Sequence, residues 1–204
     1  MCPGQQTPVV EQAHYRAGST ASQKMKSLSQ VKKEQFRLQK AIRFLVDCCL
    51  DSKGNQKIAN PKPVVAHSLR MGFNLLFKGY NMDIVIGAIL HDVEEDAGVS
   101  TKEIEKKFGK KVAKIVKAVS YDPDIIDSRK RYLDTYKRIR KAGREAIIVS
   151  VADHIDNADY YKYIKSRITK KEVYEKWQAF LKMVAFQIAK ESIYQELKEK
   201  IKNL

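Results

Sequence analysis

Apolar residues recur at three- and four-residue intervals along most of this chain, the period of helices that bury one face. The first such run predicts a helix from Leu28 to Leu50, with Phe36, Ile42, Leu45, Val46 and Cys49 as its apolar stripe. Asp51-Ser52-Lys53-Gly54-Asn55 breaks it. Asn60-Pro61-Lys62-Pro63 offers a capping residue and prolines suited to a first turn, so a second helix is expected through Val64, His67, Leu69, Met71 and Leu75 to a stop near Gly79. A third begins at Met82-Asp83, becomes wholly apolar from Ile84 to Leu90, and ends in His91-Asp92-Val93-Glu94-Glu95-Asp96.

Ser100-Thr101-Lys102-Glu103 has capping-box spacing and predicts a short helix that pauses at Phe108-Gly109. An amphipathic run from Val112 to Val119 leads to a loop at Tyr121-Asp122-Pro123-Asp124, then to a very basic helix over Ser128 to Lys141. The next helix starts near Arg144, carries Ala146-Ile147-Ile148-Val149 and continues past Asp153 and Asn157, which share a face at i and i+4. Thr169-Lys170-Lys171-Glu172 has the spacing of a second capping box. It predicts one long terminal helix to about Lys202, packing through Trp177, Phe180, Met183, Val184, Ile188 and Ile193. No strand and no repeat is visible. The expected fold is all-α, a single helical bundle over residues 28–204 with a long C-terminal helix and a disordered N-terminal arm over 1–27.

Composition narrows the setting. At 204 residues the chain can fill one domain, and nine Gly and five Pro are few enough for helices joined by short loops. Cys2, Cys48 and Cys49 make neither a disulfide framework nor a Cys-x-x-Cys zinc motif. No signal-peptide pattern and no apolar run of the ~20 residues needed to span a membrane is present, so a cytoplasmic protein without membrane contacts is expected. The net charge of +15 asks for an anionic partner: nucleic acid, a membrane surface or a phosphorylated small molecule. Part of it belongs to solvated Lys/Glu helices. A homo-oligomer is left open.

Three features break the apolar pattern in the same way. His67 lies mid-helix on an apolar face, His91-Asp92 closes an apolar helix, and Asp153 interrupts the hydrophobic run from Ile147 to Ile155. A buried carboxylate needs a partner, and no Lys or Arg lies one turn from Asp153 on its own helix. His67, His91, Asp92 and Asp153, drawn from three helices, would satisfy one divalent ion; mixed imidazole and carboxylate ligands suit manganese, iron, zinc or cobalt. Such an ion activates water and polarises a phosphoryl oxygen. Arg70, one turn from His67, could approach a substrate phosphate.

The order His67, then His91-Asp92, then Asp153 is similar to the metal-binding pattern of the HD-domain phosphohydrolase superfamily. Within it, His91-Asp92-Val93-Glu94-Glu95-Asp96 resembles the His-Asp-x-x-Glu-Asp box of the Rel/Spo alarmone hydrolase branch. Phe108-Gly109 with Val112 and Val116, and Val151-Ala152-Asp153-His154-Ile155-Asp156-Asn157, resemble that branch's later segments. The resemblance covers about Phe36 to Lys190. It implies helices packed around one ion, usually manganese, with His67, His91, Asp92 and Asp153 as ligands. Glu95 and Asp96 would orient and activate water, and Asn157 would contact the nucleotide. Tyr174, three residues before Trp177, resembles a nucleotide-contacting tyrosine of the small hydrolase-only members. The implied reaction removes the 3′-pyrophosphate of guanosine tetra- or pentaphosphate.

The sequence departs from the branch before His67. The usual Arg-Lys-Asp is replaced by Asp51-Ser52-Lys53-Gly54-Asn55, and the histidine is framed as Lys62-Pro63-Val64-Val65-Ala66-His67. Two alternatives therefore stay beside the alarmone: the same chemistry on another nucleotide or phosphoester, and a basic nucleic-acid-binding helical protein whose metal site is vestigial. The basic runs Lys102–Lys117 and Arg129–Arg144 motivate the second, although no nucleic-acid-binding motif accompanies them and they could equally funnel a nucleotide.

Overall fold

The computed structural model describes residues 26–57, 62–161 and 167–203, the side chains of 167 and 168 excepted. The expected N-terminal arm lies outside the described residues except for its last two positions, and so do Asn60 and Pro61. Ten helices are described: α1 (Leu28–Cys49), α2 (Val64–Phe77), α3 (Met82–Ile89), α4 (Val93–Ala97), α5 (Thr101–Phe108), α6 (Lys110–Val119), α7 (Ser128–Ala142), α8 (Arg144–Tyr161), α9 (Arg167–Ile188) and α10 (Ser192–Lys202). The all-α expectation holds for these residues, where the one β feature is an isolated bridge between Leu50 and Gln56.

The arrangement follows from which helices are apolar all round. A helix without a polar face must be covered on every side. In α3, Ile84, Val85, Ile86, Ala88 and Ile89 are fully buried, and α1, α2, α6 and α8 surround it. Each fully buried aliphatic side chain stabilises the fold by about 1.5–3 kcal/mol at most. Helix α8 is its counterpart, buried continuously from Ala146 to Ala152. Two glycines let neighbours approach α3. A Cβ on Gly72 of α2 would lie 2.5 Å from Ile89 Cγ1, and one on Gly87 would lie 2.8 Å from Ile115 Cγ2 of α6.

Several local expectations need correction. Helix α3 ends as expected before the acids, but at Ile89, two residues short of His91; residues 90–92 leave the helix, and an unexpected short helix, α4, starts at Val93. That break turns His91 and Asp92 inward instead of along a continuing helix. In the expected stripe of α1, Leu45 and Cys49 are buried and Ile42 and Val46 half-buried, but Phe36 is 68% exposed, and Ala41, which was not expected, is buried. Thr169 does not cap α9, which is already helical at Arg167. The single terminal helix is two, broken between Ile188 and Ser192. At the break, the Glu191 carboxylate takes hydrogen bonds from Arg144 Nε at 2.7 Å and Tyr80 OH at 3.0 Å. The turn lets Ile193, Leu197 and Ile201 of α10 fold onto α8.

Candidate metal centre and cavity

Helix α2 starts at Val64, whose N–H donates to Gln56 Oε1 at 2.6 Å, so a loop glutamine satisfies a donor that Pro63 cannot. One turn later His67 is fully buried. Its Nδ1–H donates to Asp156 Oδ2 at 2.6 Å, which leaves the Nε2 lone pair pointing at Asp153, with Oδ1 3.1 Å away. His91, at the C-terminal end of α3, donates Nδ1–H to the Ala88 carbonyl at 2.8 Å, and its Nε2 is likewise turned inward. That nitrogen lies 3.0 Å from Asp92 Oδ1 and 3.7 Å from Asp153 Oδ1.

His67, His91 and Asp153 thus bring three ligand atoms within 4.8 Å of one another. Asp92, the fourth expected ligand, is not in that set of three; it meets it only through His91, whose Nε2 lies 3.0 Å from its Oδ1. Both imidazole Nε2 atoms are buried without a hydrogen-bond partner, despite the nearby carboxylates. Two buried imidazole nitrogens facing two carboxylates could hold a cation, and the residues fit a divalent metal.

The electrostatics agree. Burial alone would lower the His91 imidazole, but the carboxylates of Asp92 and Asp153 prevail and lift it to about 10. Burial opposes ionisation of Asp153 too, yet His67, His91 and Lys62 hold its carboxyl well below the usual range. A group of side chains that so favours positive charge at its centre favours a metal for the same reason.

The next layer holds these side chains in place. Asp156 lies three residues after Asp153 on α8, and Arg70 three after His67 on α2, so both pairs share a helix face. Arg70 grips Asp156 through Nε at 2.8 Å and Nη2 at 2.7 Å, and also donates to Tyr160 OH at 2.9 Å. The guanidinium expected at a phosphate is therefore engaged with the carboxylate that orients His67. Asn157 donates to Asp153 Oδ1 at 2.7 Å and accepts from Lys62 Nζ at 3.2 Å. Lys62 also lies 3.9 Å from Asp92 and 4.0 Å from Asp153.

Sequence reasoning assigned no role to Lys62 or Asp156. For Asp156 a signal existed in the matched i, i+3 pairs His67/Arg70 and Asp153/Asp156.

Glu95 and Asp96 flank this centre on α4. Burial, with the charge of Asp92 adding, pushes the Glu95 carboxyl up to about 8, although the Tyr121 N–H donates to it at 2.6 Å. Burial and Asp92 also raise Asp96, whose Oδ2 is buried without a partner. Glu94 turns elsewhere, to Thr101 Oγ1 and Lys117 Nζ.

His154 is near but differently employed. Its Nδ1–H donates to the Ser150 carbonyl at 2.6 Å, and its Nε2 accepts from Tyr136 OH at 2.8 Å. The ring stacks on Phe180 with centroids 4.8 Å apart. No lone pair is left for a metal.

A cavity of about 910 Å³ opens from His91, Asp92, Glu95 and Asp153 and runs between α7 and α9. Arg129, Arg131 and Tyr132 of α7 and Lys176 of α9 also line it. Tyr174 is 43% exposed and outside the lining set, whereas its neighbours Val173 and Glu175 belong to it.

The HD domain pattern matches residues 41–181, which is most of the chain. This protein belongs to the HD domain family. The HD-domain chain is 28% identical over 135 residues to a guanosine-3′,5′-bis(diphosphate) 3′-pyrophosphohydrolase of Aquifex aeolicus, covering 65% of this chain and 19% of that one. It is 29% identical to the Drosophila melanogaster enzyme MESH1, with the same activity name, over 47% of this chain and 54% of the relative. It is 26% identical to MESH1 of Danio rerio over 55% and 64%. The chain therefore spans about a fifth of the bacterial relative and 54–64% of the two animal ones. Among solved structures, a metazoan orthologue of SpoT that hydrolyses ppGpp superposes with a TM-score of 0.69 at 17% identity, covering 82% of this chain and 94% of that one. The protein lmo0812 of Listeria monocytogenes gives 0.57 at 22%, over 67% and 96%. These likenesses establish the HD fold.

Proposed function

We propose that this HD-domain protein removes the 3′-pyrophosphate of guanosine 3′,5′-bis(diphosphate), releasing GDP and pyrophosphate. The observation that carries the reading is the pair of buried, partnerless Nε2 atoms of His67 and His91 facing Asp153, where His91 and Asp153 line a nucleotide-sized cavity. His67, His91, Asp92 and Asp153 would hold one divalent ion, with manganese as the proposed metal. When bound, the ion supplies the Lewis acidity that activates water and neutralises phosphoryl charge.

The chain's own residues do the rest. Asp156 and Arg70 keep the His67 ring in the Nδ1–H tautomer. Glu95, poised near neutrality and next to the ligands, takes the proton from the attacking water and returns it to the departing 3′-oxygen, while Asp96 orients the water. Asn157, already bonded to the ligand Asp153, meets the nucleotide, and Tyr174 is proposed beside it.

A cytoplasmic setting is part of this reading; among the described residues no helix is long and apolar enough to cross a membrane. The absent Arg-Lys-Asp segment favours a second reading in which the substrate is another nucleotide or phosphoester. A nucleotide panel assayed with manganese and with a chelator separates the two. Manganese-dependent pyrophosphate release from guanosine 3′,5′-bis(diphosphate) is expected; its absence, with turnover of a different nucleotide, would select the second.

A further inference from the structure

Among the described residues, three side chains able to carry positive charge stand within 4.0 Å of the Asp92 and Asp153 carboxylates: His67, His91 and Lys62. The two histidines are the proposed ligands, and an imidazole binds a metal as the neutral ring. Lys62 is different, because an ammonium donates protons and has no lone pair to offer. It belongs to the stretch framing His67, where the sequence departs from the branch.

The local structure aims this side chain at the centre. Pro63 follows Lys62 and biases it towards extended backbone, and Pro63 leads directly into α2, whose Val64 N–H is held by Gln56 Oε1 at 2.6 Å. The Lys62 side chain is 20% exposed. Its Nζ donates to Asn157 Oδ1 at 3.2 Å and lies 3.9 Å from Asp92 Oδ2 and 4.0 Å from Asp153 Oδ1. Asn157 itself donates to that same Asp153 Oδ1 at 2.7 Å. One amide of α8 thus ties the ammonium to a ligand carboxylate.

These contacts set up a competition. The two carboxylates that a divalent ion would use share their charge with Lys62, in a half-buried place where water screens weakly. Arg70 raises no such conflict, since its charge is spent on Asp156 behind His67. A divalent ion held by these ligands would face the ammonium across shared carboxylates, and like charges at that range repel. In metal-free protein the same ammonium offsets the mutual repulsion of Asp92 and Asp153.

We infer that Lys62 competes with the divalent ion for Asp92 and Asp153, and so determines how tightly this centre holds its metal. The inference rests on the proposed reading that His67, His91, Asp92 and Asp153 are the ligands. Metal-free, the centre is stabilised by Lys62; loaded, it is opposed.

The test titrates manganese chloride calorimetrically into the full chain after its metal has been stripped. Wild type, Lys62→Met, Lys62→Gln and Lys62→Arg are compared. Met keeps the apolar stem without the charge, and Gln keeps a donor for Asn157. Both are expected to bind manganese about tenfold more tightly than the wild type, because a neighbouring full charge is removed. Lys62→Arg keeps the charge and should bind no more tightly than the wild type. Thermal unfolding adds a readout that a merely structural lysine would not move. In chelator the two neutral variants should melt below the wild type, and saturating manganese should raise their midpoints by more than it raises that of the wild type. Equal or weaker manganese affinity in both neutral variants, or tightening by Lys62→Arg as large as by Lys62→Met, would overturn the inference. Manganese bound by none of the four chains would overturn it together with the ligand assignment. Pyrophosphate release from guanosine 3′,5′-bis(diphosphate), assayed separately, tests the reaction: its absence with the Lys62 effect intact removes the proposed substrate and leaves this inference standing.

Discussion

His67 donates its Nδ1–H to Asp156 Oδ2 at 2.6 Å, and this one bond decides which nitrogen of the histidine can bind a metal. Asp156 is itself clamped by Arg70, which with His67 helps keep its carboxyl down at about 2 against the effect of burial. Such a carboxylate–histidine pair fixes ring orientation and raises the basicity of the other nitrogen. Asp156→Ala is therefore expected to weaken manganese binding by about 10–100-fold. Titration of the apoprotein with manganese measures it, and Arg70→Ala should give a smaller loss in the same direction. An unchanged affinity for Asp156→Ala would show that the bond does not orient the ligand.

Removing a ligand is expected to act on chemistry more than on fold. His91→Ala and Asp153→Ala should abolish nucleotide hydrolysis while the far-ultraviolet dichroism stays helical, since α3 and α8 are held by aliphatic packing. A chelator should silence the wild type, and added manganese should restore the wild type alone. Turnover surviving in either variant would place the chemistry elsewhere.

His154 makes stability depend on pH. Burial, partly opposed by Asp153, pushes its imidazole down to about 4 from an ordinary 6.5. Between those values the unfolded chain binds the proton and the folded one does not, so stability falls as the solution is acidified from 6.5 to 4. The loss should approach about 3 kcal/mol from this residue. Urea unfolding of the wild type and of His154→Leu across that range measures it. The slope should be shallower in the variant, and equal slopes would refute the assignment.

Tyr136 is the donor that satisfies His154 Nε2. Tyr136→Phe keeps the ring against Phe180 and removes only the hydroxyl. A buried acceptor left unpaired costs about 1–3 kcal/mol, so a lower urea midpoint is expected at pH 7. A variant as stable as the wild type would mean that water replaces the hydroxyl.

At Gly87, α3 lies close against Ile115 of α6. In Gly87→Ala the new Cβ meets Ile115 Cγ2, and also Ile115 Cβ at 3.3 Å, a branch point that cannot swing away. Overpacking of this kind costs about 1–3 kcal/mol, read as a lowered thermal midpoint. A midpoint at or above the wild type would show that the helices can separate freely.

The helical periodicity placed most of the helices because amphipathic spacing is a local property, and α7, which begins at Ser128 as expected, is a clear case. It failed where a remote group decided the backbone. Nothing near Ala189 announces a break, and there the Glu191 carboxylate is held by Arg144 and Tyr80, far away in sequence, while α10 folds back onto α8. Phe36 was misread because periodicity says which residues share a face and not how far along the helix that face is covered.

The site divides along the same line. The sequence alone determined that His67, His91, Asp92 and Asp153 are out of place on apolar helices, since a buried polar group without a local partner is anomalous whatever surrounds it. Only the tertiary structure decided that His67, His91 and Asp153 converge, that Asp156 selects the nitrogen of His67, and that His154 is spent on Tyr136 and Ser150. It alone put Arg129, Arg131 and Lys176 in the cavity that His91 and Asp153 also line. Hydrogen-bond direction and the pairing of charges depend on what lies across the gap between helices, and that is set by packing.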